Sequence, residues 1–194
     1  MKIDKKLNLV TNITREDGSI VYLHVTPFPY EVVEEHCLLL GNLFTNFISQ
    51  VGGLGAARVA AMMLRKKLQR DQDLNAESGQ QGPNIVDEIQ RLTSVVWNDG
   101  GTWKTTSFDA AMKQGIISPD EYREVEGEVV FFMVSSAIQK AQLIAPTVGS
   151  VIGMYGGRLE SLSVTAFRDS LLTSNPPTDT QTQTAQPETS YIPS

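Results

Sequence analysis

Residues 118–146 read SPDEYREVEGEVVFFMVSSAIQKAQLIAP, and this stretch limits what the chain can fold into more than any other. Ser118 stands at an N-cap position, Pro119 at the first helical position and Glu121 three residues after the cap. A serine there accepts from the third helical amide, the glutamate reaches back to the cap amide, and the proline removes only an N–H that has no helical partner. The helix so started is expected to run to about Ala145 and to stop at Pro146, which cannot continue it. Val129 to Val134 is apolar without a break, so the middle of the helix is apolar on every side. Spanning a bilayer takes about 20 predominantly apolar residues, and Ser135, Ser136, Gln139 and Lys140 end the run well before that. A helix that is apolar all round but too short to span is the central helix of a folded core. Phe131 and Val134 are therefore assigned to that core.

The rest of the chain supplies what packs around it. Leu7, Leu9 and Ile13 fall on alternate positions, Asp17-Gly18 gives turn chemistry, and Ile20 to Val25 returns as a β-branched and aromatic strand. This hairpin over residues 5–26 is closed by Thr26-Pro27-Phe28-Pro29. From Tyr30 the period becomes helical, with His36, Leu40, Leu43, Phe44 and Phe47 on one face and Val33 and Cys37 beside it. Gly52-Gly53-Leu54-Gly55 breaks that helix. A second helix over 55–71 begins with alanines and ends in Arg65-Lys66-Lys67 and Arg70. A polar loop over 72–82 leads to Pro83 and a helix through Ile85, Ile89, Leu92 and Val96. Asn98-Asp99-Gly100-Gly101 is a turn, Thr102–Thr106 a short strand, and Ser107 a cap for a brief helix containing Ala110, Ala111 and Met112. After Pro146 a short helix is expected from Thr147 to Tyr155, a strand from Leu159 to Val164 and a last amphipathic turn from Ala166 to Leu172. Gly149 and Gly153 have the GxxxG spacing, which outside a full apolar segment only permits close helix approach.

The fold expected is α+β and predominantly helical, an N-terminal β-hairpin on a small helical bundle. Residues 1–172 form the folded domain. Residues 173–194, TSNPPTDTQTQTAQPETSYIPS, carry almost no large apolar side chains and are expected to be a disordered tail, because they bury too little surface to offset ordering entropy. The net charge of −6 gives no global attraction to phosphate backbones or anionic lipid, so neither nucleic acid nor membrane is an expected partner. The single cysteine, Cys37, makes no internal disulfide and is expected to be a small buried hydrophobe in a reducing cytoplasm. MKIDKKLNLV lacks an apolar core and a small-residue cleavage site, so it is not read as a signal peptide.

No catalytic constellation stands out. Glu121, Glu124 and Glu128 share one helical face, but a carboxylate di-metal bundle wants Glu-x-x-His pairs on facing helices. The two histidines, His24 and His36, do not follow a glutamate by three. Acidic residues in the first turns of a helix are accounted for by the macrodipole. Gly53-Leu54-Gly55-Ala56-Ala57-Arg58 echoes a dinucleotide fingerprint, yet it lacks the last small residue and follows a helix, not a strand. No metal, no cofactor and no enzymatic activity are expected. Apolar positions nearly encircle the helix from Tyr30 to Gln50, more than a one-sided core stripe needs. Leu39, Leu43, Phe47 and Ile48 are the candidate partner-binding residues, since excess apolar surface marks client binding or self-association. A core helix buried on both faces reads the same way.

Three parts of the chain together resemble a known family. They are KKLNLVTNITREDGSIVYLHVTPFPYEVVEEH, then PNIVDEIQRLTSVVW with GGTWKTTSFDAAMKQGIISPDEY, then VVFFMVSSAIQKA with YGGRLESLSVTAFRDSLLTSNPP. The pattern is similar to the tail assembly chaperones of long-tailed, siphovirus-like bacteriophages, and it covers roughly residues 3–176. The resemblance implies a non-enzymatic protein of the host cytoplasm that binds the tape measure protein, keeps it soluble and helps recruit the tail tube protein. It also implies absence from the mature virion. The rival expectation is a structural component of the virion, a tail completion or minor capsid protein.

Overall fold

The computed structural model describes residues 7–51, 55–75 and 84–172. Within them the fold is α+β and mostly helical, and it begins with the expected hairpin, β1 (Asn8–Thr14) and β2 (Ile20–Val25). Gly18, at φ +82°, makes the turn, and the Asp17 carboxylate accepts from the Ser19 amide at 2.8 Å. β3 (Thr93–Asp99) and β4 (Thr102–Ser107) form a second hairpin through Gly100 and Gly101, both at positive φ. With β5 (Arg158–Glu160) they complete an antiparallel sheet of order β4-β3-β2-β1-β5.

The register sorts the strand residues into two faces. Leu9 opposite Val25, Thr11 opposite Leu23 and Ile13 opposite Val21 look toward the main core, as do Thr93 and Val95 on β3. That core is roofed by α2 (Cys37–Val51), α3 (Ala56–Asn75) and α6 (Pro119–Ile138), with α1 (Tyr30–Glu35), α4 (Ile85–Arg91) and α5 (Phe108–Lys113) at its margins. Val10, Tyr22, Val96 and Trp103 occupy the opposite face, where α9 (Val164–Leu172) covers them by burying Phe167. Tyr22 meets the Phe167 ring edge-on at 5.4 Å, and Arg158 stacks over it at 5.4 Å. Just before α9, the Leu162 carbonyl accepts from the Asn8 side chain at 2.8 Å and from His24 Nε2 at 3.0 Å, fixing where α9 starts on the sheet.

α6 is the axis of the core. Its N-terminus carries the complete capping box, with Glu121 N–H donating to Ser118 Oγ and Ser118 N–H donating to the Glu121 carboxylate. Phe131 and Val134 are buried, and so are Val129 and Val130 before them and Phe132 and Met133 between them. No helix among the described residues is long and apolar enough to cross a membrane.

Several boundaries differ from the sequence reading. α6 ends at Ile138, not near Ala145, because Gln139 turns extended at ψ 153°. The chain resumes as α7 (Ala141–Leu143), passes through a π-helical turn (Ile144–Gly149) and continues as α8 (Ser150–Met154). Pro146 lies inside that turn. The wider i→i+5 spacing accommodates a ring that would strike the carbonyl four residues back in an α-helix. The Thr147 hydroxyl donates to Leu143 O at 2.6 Å, supplying a partner where the ladder is disturbed. The helix expected through Leu92 and Val96 stops at Arg91, and Thr93 begins a strand. α3 runs on to Asn75, into the segment expected to be loop. The strand after Gly157 is only Arg158–Glu160 and α9 starts at Val164. Residues 173–194, and the loop over 76–82, lie outside the described residues.

Candidate functional site: the α2 face and the α3–α6 cleft

α2 divides its candidate partner-binding residues between core and solvent. Leu43 and Phe47 are fully buried, with the Phe47 ring 6.0 Å from that of Phe131 on α6. They anchor the helix and are not available to a partner in this conformation. Leu39 is half-buried. Ile48 is 52% exposed, and Leu38, not among the candidates, is 81% exposed. Apolar side chains do encircle α2, as the sequence indicates, but those that reach solvent are Leu38 and Ile48. Cys37 is exposed as well, contrary to the buried position expected. The physical reason is the interruption at His36, whose φ −104° and ψ 15° end α1, so the helical phase read continuously from Tyr30 is reset.

A second feature forms where α3 crosses α6. The alanines at 56, 57, 60 and 61 bring the two backbones close, and a Cβ placed on Gly127 would lie 2.2 Å from the Ala57 carbonyl oxygen. Beside this crossing is a cleft of about 330 Å³. Ala57, Ala61 and Met62 give it apolar walls together with Tyr155, while Arg58, Arg65, Arg123, Glu124 and Glu128 supply charge. Arg65 pairs with Glu126 at 2.5 Å and Arg123 with Asp120 at 2.9 Å.

The row of three glutamates separates into three different situations. Glu121 closes the cap and accepts from Arg15 at 2.6 Å, and that guanidinium holds its carboxyl down to about 2. Glu124 is exposed on the cleft. Glu128 is 6% exposed, and its Oε2 accepts from the Thr11 hydroxyl at 2.9 Å. Burial pushes its carboxyl up to about 7, outweighing the Thr11 hydrogen bond, which pulls the other way. The sequence did carry a signal for Glu128. It stands in the third turn, too deep for the macrodipole to explain it, and it abuts the apolar run. Among the described residues no group of three or more His, Cys, Asp or Glu is arranged to hold a metal ion. His24 is buried on the α9 face of the sheet and His36 caps α1, so the two share no site. Of the glycine-rich stretch, Gly53 and Leu54 lie outside the described residues. Gly55 is a turn between two helices, the context that argues against a nucleotide loop.

No protein-family model matches the chain, and no curated protein or solved structure is detectably similar to it.

Proposed function

We propose that the chain is a tail assembly chaperone of a long-tailed bacteriophage. In this reading it binds the apolar, helical tape measure protein in the host cytoplasm, keeps it soluble and helps bring in tail tube subunits, without catalysing a reaction. The reading starts from the sequence resemblance. The observation that supports it on the molecule is the exposure of Leu38 and Ile48 on a helix already anchored by Leu40, Leu43 and Phe47. A helix held rigidly on one side while presenting large apolar side chains on the other suits transient capture of an amphipathic helix, because little ordering is needed on the chaperone's side. The net charge of −6 favours keeping such a complex soluble.

The alternative is a structural component of the virion. Mass spectrometry of purified particles separates the two. A chaperone is missing from them while abundant in the infected lysate, whereas a tail completion or minor capsid protein is retained at fixed stoichiometry.

A further inference from the structure

We propose that the outer face of α2 pairs with the same face of a second copy of this chain, the two helices running antiparallel about a two-fold axis at the level of Leu43. α2 carries no charged side chain along its 15 residues, although 20% of the chain is charged. The other described helices of more than eight residues, α3, α6 and α9, each carry both cations and carboxylates. On α2, Leu38, Gly41, Thr45 and Ile48 follow one another at intervals of three, four and three residues. At 3.6 residues per turn they form a stripe about 80° wide, diametrically opposite the buried Leu43. The stripe is open along its length. Leu38 and Ile48 at its ends are exposed, Thr45 is exposed, and a Cβ on Gly41 would meet nothing within 4 Å.

The spacing is what selects a second copy as the occupant. Leu38 and Ile48 each lie five residues from Leu43, and Gly41 and Thr45 each lie two. A two-fold axis there sets Leu38 of one copy on Ile48 of the other and Gly41 on Thr45, so large meets large and small meets small. A client helix requires no such symmetry about Leu43. The small pair lets the helix axes approach to about 8 Å. The Thr45 hydroxyl already donates to Gly41 O at 2.9 Å within the helix, so it needs no acceptor across the seam.

Charge favours the same arrangement. With a net charge of −6 two copies repel, and α2 is a face on which they meet without opposing like charges. Glu31, Glu34 and Glu35, exposed on α1, stand at the N-terminal end of α2. Antiparallel pairing keeps the two sets of glutamates at opposite ends of the seam, whereas parallel pairing would set them side by side. From Leu38 to Ile48 the seam is about 15 Å long, and it buries far less than the roughly 800 Å² per partner of a standard interface. The dimer is therefore expected to be weak and readily exchanged, dissociating at roughly micromolar concentration or above. Leu38 and Ile48 are also the side chains proposed to hold a client, so client and second copy exclude each other. Only that competition rests on the chaperone reading.

Sedimentation equilibrium of the full chain, from about 1 µM to about 1 mM, should show a mass rising from that of one chain toward that of two. Gly41→Glu should raise the dissociation constant at least tenfold. Its thermal midpoint should equal or exceed that of wild type, because glutamate favours a helix over glycine and the added Cβ meets nothing. The register is read with chains lacking the native thiol (Cys37→Ser), one set carrying Gly41→Cys and the other Thr45→Cys. Oxidation of an equal mixture should give the mixed disulfide at least fivefold over either like pair, whereas random collision favours it only by the statistical factor of two. A monomer at every concentration, a dimer indifferent to Gly41→Glu, or a mixed disulfide at or below the random excess would each overturn the proposal. No client is present in these measurements. A monomeric chain that still solubilises a tape measure protein would sink the dimer and leave the chaperone reading standing.

Discussion

Glu128 is the residue whose environment has the clearest consequence for the folded state. Its carboxyl has an ordinary value of 4.5 and is raised to about 7 by burial. The unfolded chain therefore releases this proton at lower pH than the folded one, and the contribution to stability is lost as pH rises from about 4.5 through about 7. His24, lowered by burial, works in the opposite direction, costing stability as pH falls below its ordinary value of 6.5. Comparing wild type with Glu128→Gln at each pH cancels the histidine. The variant should gain on wild type between pH 5 and pH 8 in urea unfolding, and a constant difference would show that Glu128 ionises freely in the folded protein. Gly127 makes a sharper steric prediction. Gly127→Ala drives a methyl group against the Ala57 carbonyl and should destabilise by about 1–3 kcal/mol or more. Gly153→Ala on α8, with nothing within 4 Å of the added methyl group, should be neutral or mildly stabilising.

At the scale of elements, legibility followed how local the determining interactions are. The α6 start was readable because Ser118, Pro119 and Glu121 form a contained hydrogen-bonding device. Ser118→Ala should cost about 1 kcal/mol, measured as a shift in the urea midpoint. The first hairpin was readable because Asp17-Gly18 and the alternation around it agree. The α4–β3 boundary was not, since Ile85, Ile89, Leu92 and Val96 keep helical spacing straight through the change of structure. Strand alternation in β3 is weak because Val95 and Val96 are both buried, one under the main helical layer and the other under α9. That double burial depends on α9 folding back from 70 residues away, which no local pattern announces. The end of α6 was misplaced for a related reason, as Pro146 ends an α-helix but is absorbed by a π-helical turn. Phe131→Ala tests the central element itself. With the ring buried against Phe47, it should cost about 3–5 kcal/mol, and a thermal midpoint equal to wild type would mean that this face of α6 is not packed.

Taken as a whole, the molecule is a sheet covered unequally, by a thick helical layer on one face and by α9 on the other. The α2 candidates were half legible. Periodicity showed that apolar residues surround the helix, but which of them reach solvent depends on where α6 lies, and that is a tertiary fact. Leu43 and Phe47 went to the core, leaving Leu38 and Ile48 as the side chains through which α2 would hold a client. The most direct test of the proposed function is co-expression of a tape measure protein, encoded beside this chain's gene if the proposal holds, alone, with this chain, and with its Leu38→Asp/Ile48→Asp variant. The account predicts a tape measure protein that is soluble with wild type, aggregated alone, and largely aggregated with the variant, which itself stays folded because neither position is buried. A tape measure protein equally soluble with and without the chain would contradict it.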